Sequence, residues 1–180
     1  MKKIWALLAL IAPLHWASAQ SIDPAQSQIS FTYKQMNVPM TGRFKQFGGV
    51  VNFDASKPEA TQVTLDIPIV GIDVGNRDAQ GEVAKKAWFD TATFPKAQFV
   101  ATQVKPLGGN RFEMTGKLTL KGWVQNLTFP FTSTKSGNKT IVEGGVPLRR
   151  LAYHIGDGTW SDTDTVADEV AVKFKLTLNP

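Results

Sequence analysis

Apolar and polar residues alternate with period two along most of this chain. In Val170-Ala171-Val172-Lys173-Phe174-Lys175-Leu176-Thr177-Leu178, the large apolar residues fall on one face and Lys173 and Lys175 on the other. Successive side chains of a strand point to opposite faces, so this reads as a strand half in water. Phe112–Leu120 and Val63–Ile69 repeat the pattern, with weaker versions at Ile29–Tyr33, Gly49–Phe53, Ala97–Val104, Leu127–Phe131 and Thr140–Leu148. That predicts about eight strands. Gly108-Gly109-Asn110, Lys121-Gly122 and Ser136-Gly137-Asn138 supply turn chemistry between several of them, which implies antiparallel hairpins. Pro68, Pro130 and Pro147 each remove a ladder donor and are expected at strand ends or bulges.

The segment from Gly71 to Pro95 breaks the alternation. Asp78 is placed to cap a short helix running through Glu82, Val83, Ala84 and Ala87 to Trp88-Phe89. Eight antiparallel strands either close into a barrel or stack as a sandwich, and alternation does not separate the two. The inward candidates are Phe31, Tyr33, Val51, Phe53, Leu65, Ile67, Phe99, Met114, Leu118, Leu127, Phe129 and Phe174, without a charge among them. Such a face is either ordinary packed core or the wall of a cavity that takes hydrocarbon.

The N-terminus has the marks of a secretory signal: Lys2 and Lys3, an apolar stretch from Ile4 to Trp16, and the small-residue site Ala17-Ser18-Ala19. Cleavage after Ala19 gives a mature domain of residues 20–180, exported to the periplasm. The net charge of +5 then falls by the two lysines, and no Lys/Arg run marks a nucleic-acid surface. There is no Cys, which excludes a thiol nucleophile and cysteine-held metals. His154 alone survives in the mature chain, and it has no evident nucleophile or metal partner. Asp162, Asp164 and Asp168-Glu169 lack the glycine of a calcium loop and read as a solvated loop.

Four stretches carry more than pattern: Gly42–Asp54; Asp73–Asp78 with Trp88-Phe89-Asp90 and Phe94–Phe99; Gly116–Gly122; and Arg150–Trp160 running on to Asp168-Glu169-Val170. In this order and spacing they resemble the YceI-like family of exported, lipocalin-like proteins. The resemblance implies an all-β fold, an eight-stranded antiparallel lipocalin-like barrel with a short helical segment near its mouth. It also implies binding of a polyisoprenoid, an isoprenoid quinone or another long-chain amphiphile in an apolar tube. The chain departs from the family where histidines are expected near the first strand: Gln26 and Gln35 stand in that region.

On this reading the inward candidates above, Phe174 excepted, contact the ligand. Arg77 and Arg150 are placed near its polar head, because a guanidinium suits phosphate or a quinone carbonyl; ion pairs of Arg77 with Asp73 or Asp78, and of Arg150 with Asp157, are the ordinary alternative. Trp88, Phe89, Phe94, Tyr153 and Trp160 are candidate walls at the mouth, and Met36, Phe44 and Phe47 flank the first hairpin. No cofactor or metal is called for. The expected partner is a long-chain lipid, with transient membrane contact and a homodimer both allowed. Two other classes were weighed. An enzyme acting on a lipid lacks a G-x-S-x-G elbow, a metal triad or a thiol. An integral outer-membrane barrel needs longer strands with the apolar face outward.

Overall fold

A computed structural model describes residues 19–180, so all of the expected leader but Ala19 lies outside the described residues. The elements are β1 (Ser21–Ile22), β2 (Gln28–Gln35), β3 (Val38–Phe44), β4 (Gly48–Asn52), β5 (Gln62–Pro68), β6 (Ile72–Asp73), α1 (Arg77–Glu82), β7 (Lys96–Gly108), β8 (Arg111–Leu120), β9 (Trp123–Ser136), β10 (Lys139–Arg149) and β11 (Glu169–Asn179). All pairings are antiparallel.

Eleven segments stand where eight strands were expected, because three strand paths are bent. β1 and β2 form one path along β11. β3 and β4 form the next: β3 pairs with β2, and β4 is bridged to the start of the first path, where Gln20 N donates to Val51 O at 2.9 Å. β5 and β6 form the third, pairing with β4 below and β3 above. From there β5, β7, β8, β9, β10 and β11 pair in series, and β11 returns to β2, so the ring closes. Two of the bends have identifiable causes. At Gly49 the backbone has φ 138° and a Cβ would sit 2.0 Å from Thr64 O. Pro68 ends β5 and leads into a 3-10 turn at Ile69–Gly71.

Burial follows the alternation. Ile29, Phe31, Phe99, Met114, Phe129 and Leu178 are buried, while Lys117, Lys173 and Lys175 are exposed. The apolar face therefore points inward, opposite to a barrel that spans a membrane with its strands. Among the described residues no helix is long and apolar enough to cross a membrane.

Two expectations are corrected. Pro130 and Pro147 lie inside β9 and β10, not at their ends or at bulges. The β9–β10 ladder stops at Phe131↔Gly144, so both prolines sit just beyond it, each with a neighbouring strand on the other side only. A missing N–H is tolerated where the strand has split from its neighbour. The helix starts earlier than expected: its N-cap is Asn76, whose side chain accepts from Asp78 N and Ala79 N, and it ends at Glu82. Asn76 wins because it stands in extended conformation just before the first turn. The remainder of the segment folds as successive turns through Phe94.

Candidate functional site

One end of the barrel is covered by two irregular segments, α1 with the turns after it and the Arg150–Val166 loop. Arg150 organises the second. It is buried, at 4% exposure, and donates to five backbone carbonyls: Nε to Ala167, Nη1 to Ile155 and Gly156, Nη2 to Trp160 and Val166, at 2.7–3.1 Å. A guanidinium has five N–H donors, so all are engaged. Its carbon also lies 5.6 Å from the Trp88 ring centroid. Gly156 makes this possible: with φ 83°, a Cβ there would lie 2.2 Å from Arg150 Nη1. Gly156 N and Asp157 N both donate to Ala87 O, tying the loop to the turns after α1. Trp88 and Trp160 meet at 5.4 Å between centroids.

Beneath this cover lies an outer chamber of about 450 Å³. Phe31, Tyr33, Phe44, Trp88, Phe89, Tyr153 and Trp160 contribute walls, and Gln35, Asn76, Asp78 and Glu82 a polar fringe. Tyr33 Oη donates to Val74 O at 3.1 Å. Below it is an inner chamber of about 150 Å³ whose lining residues are all apolar. Val51, Phe53, Leu65, Ile67, Phe99, Met114, Leu118, Leu127, Phe129 and Phe174 belong to it. Phe44, Leu120, Leu148 and Val172 line both chambers and mark the boundary between them. Phe53, Phe112 and Phe131 pack at 5.3–5.5 Å around one another and fill the inner end.

Most sequence-derived candidates are thus brought onto one lumen. Four are not. Met36, 68% exposed, is at the tip of the β2–β3 hairpin, where φ 48° at Met36 and 63° at Asn37 give a tight turn without glycine. Phe47 packs in the bend between β3 and β4 and lines neither chamber. Phe94 covers the β8–β9 turn, where a Cβ on Gly122 would lie 2.9 Å from its ring. Arg77 is exposed and forms no ion pair among the described residues; Asp73 instead meets Arg43 and Lys45. Arg150 does line the outer chamber, but neither the head-group role nor the Asp157 pair matches its bonds, since backbone carbonyls take every donor. Asp157 meets Lys121 at 3.7 Å and His154 at 3.4 Å. His154 is no barrel residue either: half-exposed, it stacks on Trp123 at 4.3 Å.

Glycine was the class of residue that alternation overlooked. Phe31, Phe99 and Phe174 each lie flat over a glycine on the adjacent strand, so that a Cβ on Gly42, Gly116 or Gly144 would come within 2.3, 2.3 and 2.6 Å of the ring. The pairings Phe31↔Gly42 and Phe174↔Gly144 are directly opposite, and Gly116 is diagonal to Phe99. The signal was present in the register of strands, which a single-strand reading does not use.

Among the described residues, two buried polar atoms on side chains that line the outer chamber have no partner, Trp88 Nε1 and Tyr153 Oη. Burial pushes the Tyr153 hydroxyl up to about 12, and raises that of Tyr33. Among the described residues no group of three or more His, Asp or Glu side chains could hold a metal ion.

A ring of antiparallel strands around an apolar lumen, covered at one end by a short helix and loops, is a lipocalin-like barrel. The chain belongs to the YceI-like domain family, whose model matches residues 20–178. A UPF0312 protein of Pseudomonas putida is 32% identical over 145 residues, 76% of each chain. Against the Pseudomonas syringae pv. syringae UPF0312 protein the match is 31% over 96 residues and spans 50% of the relative, so the chain covers about half the length of the curated relatives that head the comparison. The crystal structure of Burkholderia cenocepacia BcnA is 41% identical and superposes with a TM-score of 0.84, covering 87% of this chain and 98% of that one. A polyisoprenoid binding domain from Saccharophagus degradans shares the fold at 18% identity, with a TM-score of 0.71 over 89% of this chain and 98% of that one.

Proposed function

We propose that this protein is a periplasmic binding protein, a carrier or reservoir for a long-chain apolar lipid of the isoprenoid class, and that it acts by binding rather than by turnover. One observation carries the reading: the inner chamber is lined entirely by apolar residues and adjoins a larger, polar-fringed chamber with which it shares wall residues. A ligand with an apolar tail and one polar end fits that gradient, tail inward. The description of the S. degradans domain supports the same class.

Magnitudes agree. An apolar cavity of about 150 Å³ stays dry and takes one benzene-sized group, and the outer chamber is three times larger. By that yardstick the lumen holds roughly four five-carbon units. Drug-sized ligands realise about 0.3 kcal/mol per heavy atom, so twenty carbons give about 6 kcal/mol without any head-group clamp.

Native mass spectrometry of the protein purified from the periplasmic fraction tests this. The expected result is a co-purifying lipid, and uptake of added prenyl quinones with an affinity that levels off near four isoprene units. Repeated isolation without lipid, together with no uptake of any prenyl compound, overturns it. Recovery of the protein only from the cytoplasm overturns the periplasmic part.

A further inference from the structure

We propose that the gap between β9 and β10 is a side exit from the lumen, through which the far end of a prenyl chain too long for the two chambers leaves the barrel. The inference rests on the chain-binding reading above and concerns which chain lengths that site accepts.

The β9–β10 ladder ends at Phe131↔Gly144, yet both strands run on toward the covered end, β9 from Trp123 and β10 to Arg149. Over Asn126–Phe129 and Val146–Arg149 each strand pairs only on its far side, with β8 and β11, and no ladder pair joins the two. The cause is in the sequence. Residues two apart on a strand send their N–H groups the same way. Ser133 N bonds away from β10, to Asn110 O just before β8, so Thr132 and Pro130 face β10. Arg150 N bonds to Asp168 O on the β11 side, so Arg149 and Pro147 face β9. Both prolines therefore turn a missing donor toward the gap, and the ladder has nothing there with which to continue.

The opening is framed and apolar. At the covered end Gln125 Nε2 donates to Ala152 O, and Trp123 stacks on His154. Leu127 and Phe129 on one lip, Val146 and Leu148 on the other, also line the inner chamber. Outside the lips stand Asn126, Thr128 and Arg149, all exposed. A hydrocarbon chain thus meets apolar side chains up to the opening and polar ones only beyond it. With its polar end in the outer chamber, a chain longer than the roughly four isoprene units that the lumen holds has this gap beside the inner end of its path.

Hydrogen exchange on the unliganded full mature protein tests the gap without a ligand. The amides of Asn126, Thr128 and Arg149 are expected to exchange at least a hundredfold faster than those of Leu127 and Phe129, which face β8; equal rates overturn the inference. Titration with prenyl quinones of four and eight isoprene units, read by native mass spectrometry, tests the exit. Wild type is expected to bind the two within threefold of each other. The gap is then closed in two ways. Pro130→Val with Pro147→Val returns the missing donors, and Thr128→Cys with Pro147→Cys is bridged by a short bis-maleimide in a chain that has no native Cys. Either closure is expected to weaken the eight-unit quinone at least tenfold and leave the four-unit one within twofold. The inference is overturned if both closed forms bind the eight-unit quinone as wild type does, if wild type already rejects it, or if closure weakens both chains equally, which is damage to the lumen instead of a shut exit. If wild type binds neither quinone, the chain-binding reading itself fails, and the exit with it, whatever the exchange rates show.

Discussion

The two chambers are built of different material. The inner one is made by strands, with Phe53 and Ile69 added from just beyond two of them, and its side chains are set by the pleat and packed against Phe53, Phe112 and Phe131. The outer one is half strand and half loop, and its loop half is held by one guanidinium bonded to carbonyls up to 17 residues away in sequence. The inner wall thus draws its rigidity from the ladder. The outer wall draws it from the Arg150 side chain together with the bonds of Gly156 and Asp157 to Ala87, and carries the polar atoms. The difference separates residues that hold a wall in place, Phe129 in the inner and Arg150 in the outer, from residues such as Trp160 whose loss changes what the protein holds.

The largest effect is expected at the outer wall's organiser. Arg150→Met leaves five carbonyls unpaired and should lower stability by about 4 kcal/mol in urea unfolding; a loss under about 1 kcal/mol would show that the loop is held otherwise. Phe129→Ala, in the inner wall, should cost about 3–4 kcal/mol through the cavity it leaves, and a small loss there would mean the inner chamber readily collapses.

A pH experiment comes next. Tyr153 titrates at about 12 in the folded protein, against about 10 in an unfolded chain. A folded-state value above the unfolded one means that the unfolded chain releases its proton first as pH rises. The contribution is therefore intact below pH 10 and is lost between 10 and 12, by about 3 kcal/mol. Thermal melts of wild type and Tyr153→Phe across that window should diverge, and parallel curves would place the hydroxyl in water. The smallest stability change is expected at Trp160→Ala, within about 1 kcal/mol, because the residue is half-buried in the cover. Its lipid affinity should nonetheless drop by about tenfold. A variant that binds normally would remove Trp160 from the site.

Period-two patterning made the strands and their inward faces legible, since every second position of a half-buried strand faces the interior; closure into a barrel came only with the family resemblance. The bends were not legible, because they depend on neighbours far away in sequence: Gly49 needs its freedom only because Thr64 O lies against it. The outer chamber was read in part. Trp88, Phe89 and Trp160, expected at the mouth from their size and setting, line the outer chamber. Arg150 was singled out for donor chemistry that the structure directs to the backbone, because sequence gives a guanidinium its donors but not its acceptors. Met36 was misplaced because a tight turn there uses two non-glycine residues with positive φ.

The rings lying over Gly42, Gly116 and Gly144 have one more consequence. Calibre is fixed pairwise, between neighbouring strands, with no loop involved. A methyl added at any of the three would also meet a backbone carbonyl, Asp73 O at 2.5 Å, Val100 O at 2.7 Å or Pro130 O at 2.9 Å. Trimming the ring alone therefore makes no room for it, and the width of the passage at these levels is set by glycine and ring together.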